Sequence, residues 1–223
     1  YKDKILSVVT HDLRGAVGGV YSVVQLLQDG LQLSQQEFEE LLKEAETNIG
    51  NSYTLLENLL TWARNQIGSK QKNTRAIPVK TLVDQATEVL TTSVKEKGIQ
   101  LIKECNSSNQ VLVDERMIVS VLQNLIGNAI KFTPKGGTVK VLCKKVAQQM
   151  QIQVQDSGVG ISDEAKGKIL QEGFYTTMDT EQNKGSGLGL QIAREFLQKH
   201  NSELHIESSE EEGSIFSFRL PVA

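Results

Sequence analysis

The chain has 223 residues, 39% hydrophobic, 23% charged and only 5% aromatic, the profile of an ordinary globular protein with an aliphatic core, long enough for one large domain or two smaller ones. A formal net charge of −3 supplies no bulk attraction to DNA or to an anionic membrane, so nucleic acid is not expected as a partner.

The first third predicts two helices. From Lys2 to about Gly30, Leu6, Val9, Leu13, Val17, Val20, Val24 and Leu27 recur every three or four residues and form one apolar stripe. Asp29-Gly30 breaks the pattern, and Ser34 with Glu37 then forms a capping box that starts a second helix. Its stripe runs Phe38, Leu41, Leu42, Ala45, Ile49, Tyr53, Leu56, Leu59, Leu60 and Ala63. A short connection between two long amphipathic helices predicts an antiparallel hairpin. One hairpin cannot bury both stripes from every side, whereas two hairpins in a four-helix bundle can, so a homodimer through the hairpin is expected. The alternative is that the stripes pack on the rest of the same chain.

Residues 67–75 are polar and basic without periodicity and read as a linker. They separate a domain over residues 1–66 from one over 76–223, where the pattern becomes mixed α/β. An extended piece from Ala76 to Val79 precedes a helix from Lys80 to Lys97, a strand from Ile99 to Cys105 and a short strand from Val111 to Val113. A helix from Asp114 to Lys131 follows, then strands Thr138–Val146 and Met150–Asp156 as a hairpin, with a helical or loop insert after it. A helix from Leu188 to His200 leads to strands Glu203–Ser208 and Ser214–Leu220, joined by a charged turn at Glu210–Gly213. Cys105 and Cys143 fall in β-like apolar stretches without ligand-like spacing. They predict two buried free thiols in a reducing compartment and no disulfide scaffold. No signal peptide is evident and no apolar run could span a bilayer, so no membrane contact is expected within this segment. Because the chain opens on Tyr1 inside a helical pattern, any sensor or membrane anchor is expected upstream.

The helix from Asp114 carries the most informative face. Asn124 and Asn128 are one turn apart and Lys131 follows at nearly the next, so all three project from one side. Ile118, Val121, Leu122, Leu125, Ile126 and Ala129 occupy the other, which must be buried. An amide oxygen is a hard ligand suited to Mg²⁺ and an ammonium suits phosphate oxygens, although such residues also make a plain solvated face. Asp156, with Gly158 and Gly160, ends a strand in a glycine turn. A carboxylate at a strand mouth can accept from an exocyclic amine, with glycines letting a flat base approach the backbone. Lys184-Gly185-Ser186-Gly187-Leu188-Gly189 leads directly into a helix. Free N–H groups at the positive end of a helix dipole make a phosphate cradle, and the spacing is neither a Rossmann fingerprint nor a Walker loop. The stretch from Ile161 to Lys184, with Gly173-Phe174-Tyr175, reads as a flap over a nucleotide or as an ordinary long loop.

Taken in order, Asn124-xxx-Asn128-xx-Lys131, Asp156-x-Gly158-x-Gly160 and Gly185-x-Gly187-x-Gly189 resemble the N-box and two glycine boxes of the sensor histidine kinases. The resemblance covers the chain from about Ile77 to Ala223. It implies a Bergerat-type α/β sandwich that binds ATP and Mg²⁺. By the same resemblance Asn128 would ligate Mg²⁺, Asn124 and Lys131 would approach the phosphates, and Asp156 would bind the adenine amine. Lys184, Gly185, Gly187, Leu188 and Gly189 would close over the phosphates, and Phe174 looks like the aromatic box of the lid.

The segment Ser7-Val-Val-Thr-His11-Asp12-Leu13-Arg14 resembles the H-box of the family's dimerisation and phosphoacceptor domain. His11 lies about half a turn from Val9 and Leu13 and shares a face with Lys4, Ser7, Arg14, Gly15 and Gly18, which is polar and small enough for a docking domain. A neutral imidazole has an unprotonated nitrogen able to accept a phosphoryl group, and Asp12 can take up the proton. His200 and His205 lack such context and are expected to be structural or solvated. The implied fold class is α+β: a two-helix hairpin forming a dimeric four-helix bundle, followed by the ATP-binding sandwich. The implied activity is autophosphorylation on His11, then phosphotransfer to an aspartate of a response-regulator receiver domain. A cytoplasmic protein, or the cytoplasmic part of a membrane-anchored sensor, is expected.

Two positions depart from the family pattern. Ala16 stands where a proline is common, while Gly15, Gly18 and Gly19 each weaken the helix by about 1 kcal/mol relative to Ala and keep it bendable. The family often has Thr or Asn four residues after the histidine to position a water for dephosphorylating the partner; here that residue is Gly15. Weak or absent phosphatase activity is therefore predicted. Incubation with a phosphorylated receiver domain checks it, and rapid loss of its phosphate would contradict it.

Overall fold

The computed structural model describes residues 18, 21, 23–25, 34–43, 45, 46, 49, 50, 56, 73–105, 109–172, 180 and 188–223. The chain divides into two units, Tyr1–Ser69 and Lys70–Ala223. In the first unit every described residue except Ser34 is helical. Ser34 and Glu37 form the capping box that their spacing predicts. The Glu37 backbone N–H donates to the Ser34 hydroxyl at 3.3 Å, and the Glu37 carboxylate accepts from the Ser34 backbone N–H at 2.8 Å. The Ser34 hydroxyl and backbone N–H together hold the Glu37 carboxyl below its ordinary range. Tyr21, Val24, Leu42, Ile49 and Leu56 are exposed in the isolated chain, whereas Ala45 is buried. His11, Asp12, Gly15 and the hairpin connection lie outside the described residues.

The second unit is built on a five-stranded mixed sheet. Its elements are β1 (Arg75–Pro78), α1 (Val79–Glu88), α2 (Thr91–Glu96), β2 (Gln100–Glu104), β3 (Gln110–Val113), α3 (Glu115–Phe132), β4 (Thr138–Val146), β5 (Gln149–Asp156), α4 (Asp163–Glu172), α5 (Leu188–Lys199), β6 (His205–Ser209) and β7 (Gly213–Pro221). The sheet order is β2-β4-β5-β7-β6, with β2 parallel to β4 and the other neighbours antiparallel; β1 and β3 form a separate antiparallel pair. Alternation along β5 buries Met150, Ile152, Val154 and Asp156 on one face. Across the register these face Leu220, Phe218, Phe216 and Ser214 of β7. Helix α3 packs on β4 and β5 and is flanked by α1 and α5. Among the described residues no helix is long and apolar enough to cross a membrane.

Two features differ from the sequence pattern, and the insert after β5 takes the helical form of the two expected. The expected helix from Lys80 to Lys97 is two helices, broken at Val89–Leu90. The Thr87 hydroxyl donates to the Val83 carbonyl at 2.9 Å and the Thr91 hydroxyl to the Glu88 carbonyl at 2.8 Å. Such hydroxyls compete for carbonyls that the following turn would use, and the Leu90 N–H falls back to Thr87 O, three residues away. Within Ile161–Lys184, Ser162 starts helix α4, its hydroxyl accepting from the Ala165 N–H at 3.3 Å. Lastly, the two cysteines are not free thiols: Cys105 and Cys143 form a disulfide, with a Cα–Cα distance of 4.7 Å. The parallel register pairs Glu104 with Leu142, so the next step of both strands sets the cysteines side by side. The expectation of a reducing compartment, which rested on free thiols, loses its basis.

His200 is structural, as expected, and His205 is exposed. The Asp114 backbone N–H donates to His200 Nε2 at 3.0 Å. That nitrogen must therefore be unprotonated, and Nδ1–H donates to the Phe196 carbonyl at 2.6 Å. One buried imidazole thus ties the end of α5 to the residue that caps α3. His200→Ala leaves a donor without its acceptor and opens a cavity, and should lower unfolding free energy by about 1–3 kcal/mol. Urea denaturation of the two proteins reads this as a lower midpoint with an unchanged slope.

Candidate functional site

Helix α3 begins at Asp114, whose carboxylate accepts from the Met117 N–H at 3.3 Å. Ile118, Val121, Leu122, Leu125, Ile126 and Ala129 are buried, as the pattern predicts, together with Met117 and Ile130. Asn124, Asn128 and Lys131 stand on the other side, each half-buried. The Asn124 amide nitrogen donates to the Ser120 carbonyl at 2.9 Å, which turns its oxygen toward α5. A Cβ added at Gly189 would lie 2.3 Å from that oxygen. The glycine therefore lets the first turn of α5 rest directly on Asn124, bringing the end of the glycine run to the polar face of α3.

Asp156 closes β5 and is only 5% exposed. Its Oδ1 accepts from the Gly158 N–H at 2.9 Å and from the Ser214 N–H at 3.1 Å. Both donors converge on one oxygen, leaving Oδ2 to accept an N–H from a ligand. Burial pushes this carboxyl above its ordinary range, and the two backbone hydrogen bonds only partly oppose that. The neighbouring glycines also have a packing role within the chain. A Cβ at Gly158 would lie 2.5 Å from the Phe132 carbonyl oxygen, and one at Gly160, where φ is +72°, would lie 1.9 Å from that of Ser209. Their missing side chains make room for the protein's own backbone and lock the turn between the end of α3 and the β6–β7 turn. The Val159 N–H donates to Phe132 O at 3.3 Å, and the Glu211 N–H to Val159 O at 2.9 Å.

The structure thus joins Asn124 with Gly189 and fixes Asp156, Gly158 and Gly160 as one turn beside the end of α3. Leu188 opens α5, while Lys184, Gly185, Gly187 and Phe174 lie outside the described residues. Among the described residues no group of three or more His, Cys, Asp or Glu could hold a metal. A cation here would depend on the amide oxygen of Asn128 and on the phosphates of its ligand, a combination that suits Mg²⁺. Sequence reasoning missed Ser214, which acts through a backbone N–H that any residue but proline supplies. It also missed Lys97, whose ammonium donates to the carbonyls of Ile130 and Lys131.

Residues 113–223 match the family of histidine kinase-, DNA gyrase B-, and HSP90-like ATPases. The adaptive-response sensory kinase SasA of Synechocystis sp. is 29% identical over 233 residues, covering all of this chain and 60% of its own length. The chain therefore spans about 60% of the curated relative it matches. The histidine kinase AdeS of Acinetobacter baumannii has the same fold, with a TM-score of 0.70 at 22% identity over 95% of this chain and 97% of that one. The histidine kinase ThkA, solved in complex with the response regulator protein TrrA, gives 0.69 at 20% identity over 100% of this chain and 61% of that one. The second unit is an ATPase domain of the Bergerat type. Over its whole length the chain is similar to sensory histidine kinases.

The raised position of Asp156 sets a pH dependence. Between its ordinary value of 3.8 and its higher folded value, the native state holds more of this proton than the unfolded state does. Stability from this group therefore falls as pH rises through that interval and stays low above it. Asp156→Asn keeps an oxygen for Gly158 and Ser214 but carries no charge. The ligand-free variant should melt above wild type at pH 7, with the gap closing as pH falls toward 3.8. The same variant should bind nucleotide at least about tenfold more weakly, since a donor replaces Oδ2. Parallel melts across pH and a binding titration check both arms.

Proposed function

We propose that this chain binds Mg-ATP in its second unit and transfers the γ-phosphoryl group to His11, then passes it to an aspartate of a response-regulator receiver domain. The observation that carries the nucleotide reading is Asp156: a buried carboxylate whose Oδ1 is saturated by two backbone donors and whose Oδ2 is left for an adenine amine. Asn128 would supply an amide oxygen to Mg²⁺, with Lys131 and Asn124 beside the phosphates. Lys184 and the run from Gly185 through Gly187 and Leu188 to Gly189 would lie over them at the positive end of α5. The cation neutralises charge on the phosphates, and the protein positions an in-line acceptor.

In the transfer, an unprotonated imidazole nitrogen of His11 attacks the γ-phosphorus. A P–N bond forms, the P–O bond to the β-phosphate breaks, and ADP leaves. The proton on the other ring nitrogen is held or taken up by Asp12. A receiver aspartate then displaces the imidazole. The ThkA complex with TrrA supports a receiver as partner. The exposure of Tyr21, Val24, Leu42, Ile49 and Leu56 in the isolated chain supports burial of these side chains in a homodimer of the hairpin. A cytoplasmic location suits a partner of this kind.

Autophosphorylation with radiolabelled Mg-ATP tests the reading. Acid-labile label is expected on the wild-type chain and should vanish in His11→Gln. Tight nucleotide binding without any label would instead indicate a nucleotide-responsive scaffold.

A further inference from the structure

Lys97 ends α2 as its C-terminal cap and is only 9% exposed. Its ammonium donates to Ile130 O at 2.9 Å, to Lys131 O at 2.6 Å and to the Thr180 hydroxyl at 2.7 Å. The Thr180 hydroxyl donates in turn to Lys131 O at 3.1 Å. Lys97 Nζ, Lys131 O and Thr180 Oγ1 therefore close a triangle. A buried ammonium is costly unless its N–H groups are satisfied, and here it meets three acceptors. Two of them are carbonyls at the negative end of a helix, where a cation is favoured.

Lys97 is not needed merely to stop α3. The helix is already closed by Thr133, whose backbone N–H and hydroxyl both donate to Ala129 O, at 3.1 and 2.6 Å. What Lys97 adds is a link between two parts of the chain that bear on the same site. The last turn of α3 carries Lys131 and follows directly on Asn128. Thr180 belongs to the connection between α4 and α5, the helix whose first turn rests on Asn124.

We propose that Lys97 is a positioning residue for nucleotide binding: through the triangle it holds the last turn of α3 and Thr180 in one fixed relation. Asn128 and Lys131, at the end of that helix, are thereby presented to the phosphates. The inference rests on the nucleotide-binding reading of the site and deepens it.

The test is calorimetric titration of the whole chain with Mg-ADP, alongside ligand-free melts. It compares wild type with Lys97→Met, Thr180→Val, Thr180→Ser and the Lys97→Met/Thr180→Val pair. Each of the first two variants should lose roughly tenfold in affinity while still unfolding cooperatively, the scale of one hydrogen bond to a charged group. Thr180→Ser keeps the hydroxyl and should bind like wild type. The double variant should be no weaker than the worse single, because both break one triangle. Folded single variants that bind like wild type, or losses that simply add in the pair, overturn the inference. Should Lys97→Met fail to fold, Thr180→Val against Thr180→Ser decides alone, since only the first removes the hydroxyl. A wild-type chain that binds no Mg-ADP would overturn the nucleotide reading itself. Binding by wild type with unchanged variants overturns the positioning role only.

Discussion

Helix α3 lies on the sheet by one face, and that contact orients the site. Eight of its residues are buried, each of the larger ones contributing roughly 1.5–3 kcal/mol when removed from water. Advancing the pattern by one residue would turn the helix by about 100° and trade this face for polar groups. Asn124, Asn128 and Lys131 are therefore held on the other side by the burial of this face. The same contact delivers Asp156, since β5 is one of the strands on which α3 packs.

The two ends of α3 are held by separate devices. At the start, Asp114 caps the helix with its carboxylate and gives its own N–H to His200, coupling α3 to the end of α5. At the far end, Thr133 closes the backbone and Lys97 collects the carbonyls of Ile130 and Lys131. The glycine turn after β5 joins here as well, through the Val159 N–H on Phe132 O. Helix α5 at one end, and Lys97 with the turn that follows Asp156 at the other, thus hold α3 in place. Its rigidity follows from backbone groups satisfied by named partners, and that is the preorganisation a binding site requires.

Legibility in the sequence followed the kind of signal each feature leaves. The polar face of α3 was visible because amide chemistry and helical period coincide in Asn124, Asn128 and Lys131. The Ser34–Glu37 box was visible because both halves of a capping pair are side chains at fixed spacing. Gly158 and Gly160 were visible as a glycine turn, but their packing role was not, because the space beside them belongs to Phe132 and Ser209 of the same chain. Ser214 left no trace, because a backbone N–H has no signature. Lys97 reaches partners 33, 34 and 83 residues away, and the disulfide spans 38. Both depend on which strands and helices become neighbours, and the parallel pairing of β2 with β4 does not follow from the pattern of either strand. The break at Val89 was hidden for a subtler reason, since hydroxyls of Thr87 and Thr91 leave the apolar periodicity intact while diverting the carbonyls.

Asp156 shows why such a site is stable enough to fold and still incomplete. Desolvation raises its pKa, so the charged form is held at a cost that the Gly158 and Ser214 N–H groups lessen without removing. A third donor, arriving on Oδ2 from a ligand, would favour the same ionised form. Binding and ionisation of Asp156 are then linked in sign: a ligand that donates to this carboxylate draws its pKa down, and a proton on the carboxyl competes with that ligand. Removing the charge would ease the empty domain and spoil the bound one. The opposition between ligand-free stability and recognition is thus built into a single buried oxygen pair, at the end of a strand that the rest of the unit holds still.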